Sequence, residues 1–394
     1  MSKTVDALQR SLSPVLTPMS WVYGGVMRVR EQLYKSGAVP SWEPDAVTVS
    51  VGNIGWGGTG KTPVAGWLLD WGIRRGLKPL LLTRGYKAKP VHYPYLVKPG
   101  ALVEEAGDEP LMLATQHPGA TVVVDPERTR AGKWAMEGRK SRLVIMDDGF
   151  QHMAVKRHLN LVLLNWSDLN EGWNRVIPAG SWREPASALG RADAFMIKTG
   201  PTGFKKLRPH FKERLERFHK PVFSFRLAPM GVRSVVGGHG EPDFNGAPYL
   251  LVTGVGDPAA VKRTATNYFG YPPMKHMTFP DHHFYTKTDV VKMQSKAEKL
   301  GCAAILCTPK DAVKLGPMCT DEFWQFDLRT SFGPSTINAN TPFDVWWNRL
   351  YEAIDLRRKD DRSVDFNAAE DSDRDHDQST ADERSEDGDG QKET

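Results

Sequence analysis

The sequence predicts an α/β protein with a doubly wound sheet followed by a second, smaller α/β lobe. Three observations support this prediction. Short apolar, β-branched runs alternate with helical patterns along most of the chain, which is typical of a parallel sheet covered by helices. A glycine-rich motif at residues 55–62 separates the first of these runs from a helix. The 394 residues, 40% of them hydrophobic, are enough for two core-bearing domains.

The glycine-rich motif reads GWGGTGKT and fits the G-x-x-x-x-G-K-[ST] pattern at every fixed position. It lies between a strand-like run at 47–51 and a helix-like run at 64–75, where its backbone N–H groups and the helix N-terminus can face a phosphate chain. This context predicts a P-loop NTPase-type lobe that binds a nucleoside triphosphate and Mg²⁺, with Lys61 on the β- and γ-phosphates and the Thr62 hydroxyl on the metal. The predicted nucleotide contacts are Gly55, Gly57, Gly58, Thr59, Gly60, Lys61 and Thr62.

The charge is unevenly distributed along the chain. Residues 358–394 hold 14 acidic and 6 basic side chains, whereas residues 1–357 hold 46 basic and 33 acidic ones, a net charge of +13. A net charge this positive on residues 1–357 indicates an anionic partner, which could be nucleic acid, an anionic membrane surface or a phosphorylated substrate. Charge alone does not choose among them. The cysteines Cys302, Cys307 and Cys319 form neither an even framework nor a C-x-x-C pair, which fits a reducing cytoplasm.

Residues 1–35 are predicted to be an N-terminal interfacial helix region. Residues 11–27 carry no charge but contain two prolines and two glycines, so they are a poor membrane-spanning segment. The alternative, that an apolar side of this helix packs on the protein's own core, is equally compatible with the pattern. That apolar side consists of Leu16, Met19, Trp21, Val22, Val26 and Met27, followed by Arg28, Arg30 and Lys35 at headgroup level.

Residues 36–220 are predicted to form the P-loop lobe. After the P-loop helix, we expect strands at 79–83, 121–125, 143–147, 159–164 and 192–197, and helices at 111–116, 127–137 and 204–219. Residues 87–107 are rich in Pro, Tyr, Lys and Gly and lack clear periodicity. That composition predicts a surface excursion between elements.

The remaining chain divides into four predicted segments. Residues 221–238 are an extended linker, and residues 239–340 form the second α/β lobe, in which strands at 249–253, 276–279 and 303–307 alternate with helices. Residues 341–357 are an amphipathic helix that is predicted to pack back on the body. Residues 358–394 have almost no large apolar side chain and dense charge, which predicts a disordered acidic tail.

An apolar strand at residues 143–146 ends in Asp147 and Asp148. A strand end in the same sheet lies beside the P-loop, where carboxylates are the hard oxygen ligands that Mg²⁺ takes. The arrangement is typical of a Walker B element, and Gln151 and His152 follow in the same turn, where they can reach the metal or the acceptor.

Asp108 and Glu109 lie at the start of another helix. Two acids there are equally compatible with favourable charges at a helix N-terminus. In the functional interpretation, Asp108 accepts the proton of an attacking hydroxyl, as phosphoryl transfer to an alcohol requires.

The second lobe contains the sequence FPDHHFY at residues 279–285. A histidine beside a carboxylate can be oriented by it, but a transition-metal site is disfavoured because no third ligand lies at recognisable spacing. The segment TPKD at 308–311 lacks the Asn of a guanine-reading N-K-x-D motif, so GTP is not favoured over ATP.

Several separated motifs match one family in the same order. With them the chain resembles the tetraacyldisaccharide 4'-kinases, the lipid A kinases of Gram-negative bacteria. The combination of GNxxxGGTGKTP, GDEP and DDGFQH is highly specific, because an ordinary P-loop ATPase has no reason to carry all three. The matching motifs are SVGNIGWGGTGKTP, RGY, GDEP, DDGFQH, IPAGSWREP, VTGVGDP, FPDHH and KDAVKL, which cover roughly residues 12–350.

The resemblance implies ATP-dependent phosphorylation of the 4'-hydroxyl of a disaccharide 1-phosphate lipid at the cytoplasmic face of the inner membrane. Its implied partners are this glycolipid and an anionic membrane surface, with no nucleic acid and no obligate protein partner. Asp108 matches the family's catalytic base, His282 its partner across the cleft between the lobes, and Lys61 the phosphate-binding lysine. The implied metal site comprises Thr62, Asp147, Asp148, Glu109 and Gln151, and the positions facing the anionic sugar lipid are Arg84, Arg128, His152 and Arg183.

Two positions depart from the family pattern: Lys87 follows RGY where Gly is common, and TPKD replaces TEKD. A function from another class is a nucleotide-gated membrane scaffold, which needs the P-loop and the Walker B acids but no alcohol acceptor. A P-loop GTPase for metal insertion is disfavoured because no Cys/His cluster lies near the P-loop.

Overall fold

The computed structural model describes residue 9 and residues 11–360, and its largest feature is one mixed sheet of 13 strands. The chain divides into two compact units, residues 1–343 and residues 344–394, and the whole sheet lies in the first. In the second unit, residues 344–360 are helical. The packing of this helix on the body stays a prediction, and residues 361–394 of the predicted acidic tail lie outside the described residues.

The strands alternate with helices as predicted for an α/β fold. The strands are β1 Val47–Asn53, β2 Leu80–Thr83, β3 Tyr95–Val97, β4 Thr121–Val124, β5 Leu143–Asp147, β6 Leu159–Leu164, β7 Ala194–Lys198, β8 Val222–Ser234, β9 Gly240–Glu241, β10 Tyr249–Thr253, β11 Lys275–Thr278, β12 Ala304–Cys307 and β13 Phe323–Thr336. The helices are α1 Ser13–Lys35, α2 Lys61–Arg74, α3 Val103–Ala106, α4 Asp108–Gln116, α5 Arg128–Met136, α6 Trp166–Leu169, α7 Pro201–Arg214, α8 Pro258–Phe269, α9 Lys287–Lys299 and α10 Pro309–Leu315.

The strand order places the P-loop strand near the middle of the sheet. The order is β11-β10-β12-β13-β8-β7-β6-β1-β5-β2-β4-β3, and β9 pairs with β8 outside this path. β1 pairs in parallel with β5 and β6, and every residue of the three strands is buried. Strands covered on both faces tend to be apolar throughout, as β5 is up to Asp147, whereas β1 also buries Thr48 and Ser50. The loops that follow these parallel strands meet at one edge of the sheet, where ligands of open α/β folds bind.

Two long antiparallel strands join the two lobes into one sheet. β8 has 13 residues and occupies most of the predicted linker, and β13 has 14 residues and was not predicted. β8 pairs in parallel with β7 of the first lobe and antiparallel with β13, which pairs in parallel with β12 of the second lobe. Main-chain hydrogen bonds therefore run continuously from the P-loop lobe to the second lobe.

The structure corrects the prediction for residues 87–107. This stretch contains the edge strand β3, which pairs antiparallel with β4, and the short helix α3, so it is not an excursion without regular elements. The helix after it begins at Asp108 rather than at Leu111. Gly107 precedes it with φ 80°, a conformation that glycine adopts without strain, and this turn separates α3 from α4.

The N-terminal helix α1 packs through its small residues. Ser20 Oγ donates to the Val176 carbonyl at 2.9 Å and accepts from the Ala179 N–H at 3.1 Å. A Cβ built at Gly24 would meet Pro185 Cγ at 3.1 Å, so a larger residue there would require the proline ring to shift. Large apolar side chains of α1 lie exposed instead, namely Val15, Met19, Trp21, Val22, Val26, Val29 and Leu33. Within the described part of the chain, no helix combines the length and apolarity needed to cross a bilayer.

Candidate active site

The P-loop connects the buried strand β1 to helix α2. Gly57 and Gly60 have φ values of 123° and 91°, which favour glycine, and α2 begins at Lys61 directly after Gly60. A Cβ built on Gly60 would meet the Phe225 ring at 3.0 and 3.1 Å. The loop therefore needs glycine for both its backbone angles and its packing, and it presents the positive end of a 14-residue helix to an anion.

Lys61 is held by polar groups of the protein. Its Nζ donates to Asn53 Oδ1 at 3.2 Å and lies 3.5 Å from Asp148 Oδ1. Gln151 Nε2 donates to the Asn53 carbonyl at 3.0 Å, which ties the turn after β5 to the end of β1. Asn53 was not among the predicted residues, although it stands in the matching motif SVGNIGWGGTGKTP.

The two carboxylates at the end of β5 lie beside the P-loop, as predicted from the rule that strand ends of one sheet meet at one edge. Thr83 Oγ1 donates to Asp147 Oδ2 at 2.9 Å, whereas the buried Asp147 Oδ1 and Asp148 Oδ1 accept no hydrogen bond from the described residues. Burial and the nearby Glu109 charge raise the pKa of Asp147 to about 6. A buried carboxylate oxygen without a donor is costly, and a cation would satisfy it.

The donor set at this edge fits Mg²⁺. Thr62 Oγ1 donates to Glu109 Oε2 at 2.8 Å, so hydroxyl and carboxylate oxygens of α2, α4 and β5 gather here. Within residues 11–360, no group of three or more His, Cys, Asp or Glu has the geometry of a metal cage. Mg²⁺ is usually held by one or two carboxylates together with waters and substrate phosphates, so this site needs no such cage.

Arg183 holds the second of these carboxylates. Its Nη1 donates to Asp148 Oδ2 at 2.8 Å and to Gln151 Oε1 at 3.2 Å. Burial raises the pKa of Asp148, but the charges of Lys61 and Arg183 outweigh that effect and hold the pKa below its ordinary value. Asp148 is therefore already paired with two cations, which leaves Asp147 as the carboxylate better placed to hold a metal.

Asp108, the first residue of α4, meets His282, which lies in the loop after β11. His282 Nδ1 lies 2.8 Å from Asp108 Oδ2, although 174 positions separate the two residues in sequence. The Glu109 N–H donates to Asp108 Oδ1 at 3.0 Å, so both oxygens of the Asp108 carboxylate have donors. His282 adopts φ 59°, a left-handed conformation that is strained for a non-glycine residue, and its ring lies 5.4 Å from that of Tyr86.

Lys310 is a cation that contacts both members of this dyad. The sequence analysis assigned no role to it. Its Nζ lies 3.3 Å from both Glu109 Oε1 and His282 Nε2, 3.5 Å from Asp281 Oδ1 and 3.7 Å from Asp108 Oδ2. Burial raises the pKa of Asp108, but the His282 hydrogen bond and the Lys310 charge together hold it below its ordinary value. The Asp108 carboxylate is therefore kept ionised, as a proton acceptor must be.

The residues implied to face the sugar lipid lie at the same edge of the sheet. Arg84 is exposed, whereas Arg128 is only 5% exposed and donates to the Pro126 carbonyl at 3.1 Å. Burial, with the charges of Arg128, Arg157 and Arg30, lowers the pKa of His152 to about 4, so its ring is neutral near pH 7. Its buried Nε2 has no hydrogen-bond partner among the described residues.

The two departures from the family pattern have local explanations. Lys87 has φ 63°, a left-handed conformation that glycine adopts freely, so the common Gly relieves backbone strain there. Pro309 is the first residue of α10, a position where a missing N–H costs nothing, and Thr308 Oγ1 caps the helix by accepting from the Asp311 N–H at 3.2 Å. Lys310 follows Pro309 directly, as the second residue of α10.

Comparisons with known proteins agree on one family. The family model described as LpxK, tetraacyldisaccharide-1-P 4'-kinase, matches residues 12–341. A tetraacyldisaccharide 4'-kinase of Nitratidesulfovibrio vulgaris is 49% identical over 354 residues, which cover 90% of this chain and 98% of that protein. The protein with the same description from Oleidesulfovibrio alaskensis is 48% identical over 355 residues, covering 88% and 98%.

A solved structure shows the same fold. It is described as the crystal structure of the "apo" form of LpxK from Aquifex aeolicus in complex with ATP, and it aligns with a TM-score of 0.63 at 27% identity. The alignment covers 83% of this chain and 95% of that chain. These matches confirm the P-loop kinase fold and do not favour the scaffold alternative. The chain belongs to the tetraacyldisaccharide-1-phosphate 4'-kinase family, whose members are ATP-dependent phosphotransferases.

Proposed function

We propose that this chain transfers the γ-phosphate of ATP to the 4'-hydroxyl of a tetraacyldisaccharide 1-phosphate, with Asp108 as the general base. The observation that carries this assignment is the 2.8 Å contact between Asp108 and His282, beside Glu109, which accepts from Thr62. Asp108 takes the hydroxyl proton while the 4'-oxygen forms its bond to the γ-phosphorus. The bond from that phosphorus to the bridging oxygen breaks, and ADP leaves.

His282 is proposed to orient the base and not to react itself. Its contact at Asp108 Oδ2 fixes the carboxylate, and Tyr86, Gly107 and Phe284 line the small cleft beside the dyad. We propose that the hydroxyl of the sugar approaches the carboxylate from this cleft. General-base catalysis of this kind contributes about 10²–10⁴-fold in rate.

The nucleotide is proposed to lie with its phosphates on Gly55, Gly57, Gly58, Thr59 and Gly60. Lys61, held by Asn53 and close to Asp148, is poised to neutralise the β- and γ-phosphates. Thr62 and Asp147 are the proposed metal-binding groups, with Glu109, Asp148 and Gln151 around them. Bound Mg²⁺ neutralises charge on the phosphates.

The acceptor lipid is proposed to be held by Arg84, Arg128, His152 and Arg183. The supporting observation is that His152, with Arg128 beside it, lies in the turn that also carries the Asp147–Asp148 pair. Cationic and neutral donors facing an anionic sugar phosphate provide the charge complementarity that such a substrate needs.

The catalytic assignment is tested by replacing Asp108 with Asn. Because the amide cannot accept the hydroxyl proton, transfer from labelled ATP to the lipid should fall by about 10²–10⁴-fold. The matched control is Asp70→Asn, since Asp70 on α2 also contacts a histidine, His117 Nδ1 at 2.7 Å directly after α4, but belongs to none of the proposed sites. Normal transfer by Asp108→Asn would overturn the assignment.

We further propose that the enzyme works at an anionic bilayer surface at the cytoplasmic face of the inner membrane. The supporting observations are the exposed apolar side chains of α1, with Trp21 73% and Val22 71% exposed, and the net charge of +13 on residues 1–357. An apolar stripe beside basic residues is typical of an interfacial helix.

The membrane assignment is tested by flotation with phosphatidylglycerol vesicles. The variant Trp21→Ser/Val22→Ser should float less than the parent protein while keeping its turnover on detergent-dispersed lipid. The control Met230→Ser/Val291→Ser removes two exposed apolar side chains elsewhere and should float normally. Equal flotation of the two double variants would exclude α1 as the membrane contact.

A further inference from the structure

Lys310 reaches the site from the second lobe. It is the second residue of α10 and its side chain is 17% exposed. Its ammonium lies within 3.7 Å of four functional groups on two other segments: Asp108 and Glu109 at the start of α4, and Asp281 and His282 in the loop after β11. An ammonium group has three protons to donate, so this position lets it connect the two segments.

The start of α10 is rigidly held, which fixes where the Lys310 side chain begins. Asp311 is completely buried and accepts hydrogen bonds from Thr308 Oγ1 at 2.7 Å, from Tyr285 Oη at 3.0 Å and from the Gly254 N–H at 3.2 Å. Lys314 lies 3.1 Å from the same carboxylate. A buried charge with this many partners holds its backbone firmly, so the Lys310 stem has a fixed base.

The contact with His282 fixes the orientation and tautomer of its ring. An ammonium only donates hydrogen bonds, so the 3.3 Å contact requires His282 Nε2 to be the acceptor. The proton of the neutral ring is then on Nδ1, the atom that lies 2.8 Å from Asp108 Oδ2. With Lys310 on one side and Asp108 on the other, the ring cannot turn without losing a hydrogen bond.

The contact with Glu109 links the dyad to the P-loop. Glu109 Oε1 lies 3.3 Å from Lys310 Nζ, and its other oxygen accepts from Thr62 Oγ1 at 2.8 Å. Glu109 is thus shared between Thr62, the second residue of the P-loop helix, and Lys310 at the start of α10. A chain of polar contacts runs from Thr62 through Glu109 and Lys310 to His282.

We propose that Lys310 is a positioning residue for phosphoryl transfer. It holds His282 against Asp108 and, through Glu109, fixes the position of that pair relative to the P-loop. The inference rests on the proposed roles of Asp108 and His282. Lys310 takes up no proton and forms no bond in the reaction. Its effect on the rate passes through the orientation of the His282 ring.

The test uses a double-mutant cycle in the full-length protein. Lys310→Met keeps the length of the side chain and removes the ammonium, and Lys310→Arg restores a cation. Each is measured in the parent protein and in the His282→Ala background, with kcat for lipid phosphorylation, KM for ATP and the melting temperature as readouts. Lys299→Met is the control, because Lys299 is an exposed lysine of the same lobe.

We expect Lys310→Met to lower kcat by about 10–100-fold with KM for ATP changed less than about twofold, the size of effect that follows from a misplaced catalytic group. In the His282→Ala background the same substitution should change kcat by less than about threefold, because residues that act as a unit are not additive. Lys310→Arg should recover part of the loss, and Lys299→Met should behave like the parent.

Three results would overturn the proposal. Equal losses in both backgrounds would show that Lys310 acts independently of His282. A raised KM for ATP at unchanged kcat would make it a nucleotide-binding residue, and a normal kcat would remove it from the site. Failure of the proposed function is separately visible, because Asp108→Asn and His282→Ala would then retain transfer whatever Lys310→Met does.

Discussion

Two corners of the site differ in how completely the protein satisfies its own polar groups. In the nucleotide corner, formed by Gly55–Thr62, Asp147 and Asp148, two buried carboxylate oxygens lack a hydrogen-bond donor among the described residues. In the acceptor corner, formed by Asp108, His282 and Lys310, both oxygens of the carboxylate and both ring nitrogens have partners. The first corner is built to receive a cation and a phosphate chain, and the second is organised by the protein itself.

This difference indicates a division of labour. A preorganised base costs no rearrangement when the hydroxyl arrives, so the acceptor corner should determine the rate of transfer from bound ATP. The nucleotide corner depends on what it binds, so damage there should appear first in metal and nucleotide affinity. Each prediction below separates these two kinds of damage.

The largest effect should follow removal of the divalent cation. Chelating Mg²⁺ with EDTA should lower lipid phosphorylation by about 10³-fold or more, because a bound metal contributes several kcal/mol of charge stabilisation. Radiolabelled product formation measures it, and added Mg²⁺ should restore the rate. Mg²⁺ should also raise the melting temperature of the parent protein but not that of Asp147→Asn. Full activity in EDTA would contradict the proposed metal site.

The next largest effect should follow His282→Ala. Without the ring, Asp108 loses a hydrogen bond and its fixed orientation, so kcat should fall by about 10²-fold while KM for ATP stays nearly unchanged. Steady-state kinetics at saturating lipid provide the measurement. The control His117→Ala removes another close Asp–His contact, the one between His117 and Asp70 at 2.7 Å. If that control lost as much kcat as His282→Ala, the acceptor corner would have no special role.

A smaller effect, on nucleotide affinity rather than on kcat, should follow Gly60→Ala. At φ 91°, with the Phe225 ring 3.0 Å from the new Cβ, the loop must distort. Left-handed strain of about 1–2 kcal/mol corresponds to an increase of about tenfold in KM for ATP. Isothermal titration with a non-hydrolysable ATP analogue should show the same change. Loss of kcat at unchanged nucleotide affinity would contradict the claim that the nucleotide corner determines affinity and the acceptor corner determines the rate of transfer.

The parts of the site that the sequence predicted well are local. Backbone geometry within eight consecutive residues defines the P-loop, and Asp147 and Asp148 follow a continuous apolar strand, so their placement needed only the rule that parallel strand ends meet at one edge. The structure places Asp148 beside Lys61 of the P-loop, with 3.5 Å between Oδ1 and Nζ.

The parts that the sequence alone did not predict depend on distant residues. The pairing of β8 with β13 joins positions such as Val222 and Thr336, and neither strand carries a turn signal that points to the other. The dyad of Asp108 and His282 came from the family resemblance, because local sequence left Asp108 compatible with an ordinary helix start. Lys310 stands in the matching motif KDAVKL, but no role was assigned to it, because its long side chain reaches partners that lie far away in sequence.

The most direct test of the division of labour is a single-turnover comparison of Thr62→Val with Asp108→Asn. Enzyme loaded with γ-labelled ATP and Mg²⁺ is mixed with disaccharide 1-phosphate lipid, and the nucleotide affinity of each variant is measured separately. Thr62→Val should weaken Mg²⁺-ATP binding, whereas Asp108→Asn should bind Mg²⁺-ATP normally and transfer the label at least about 10²-fold more slowly. Transfer by Asp108→Asn at the parent rate, or a loss explained by weaker nucleotide binding, would contradict the account.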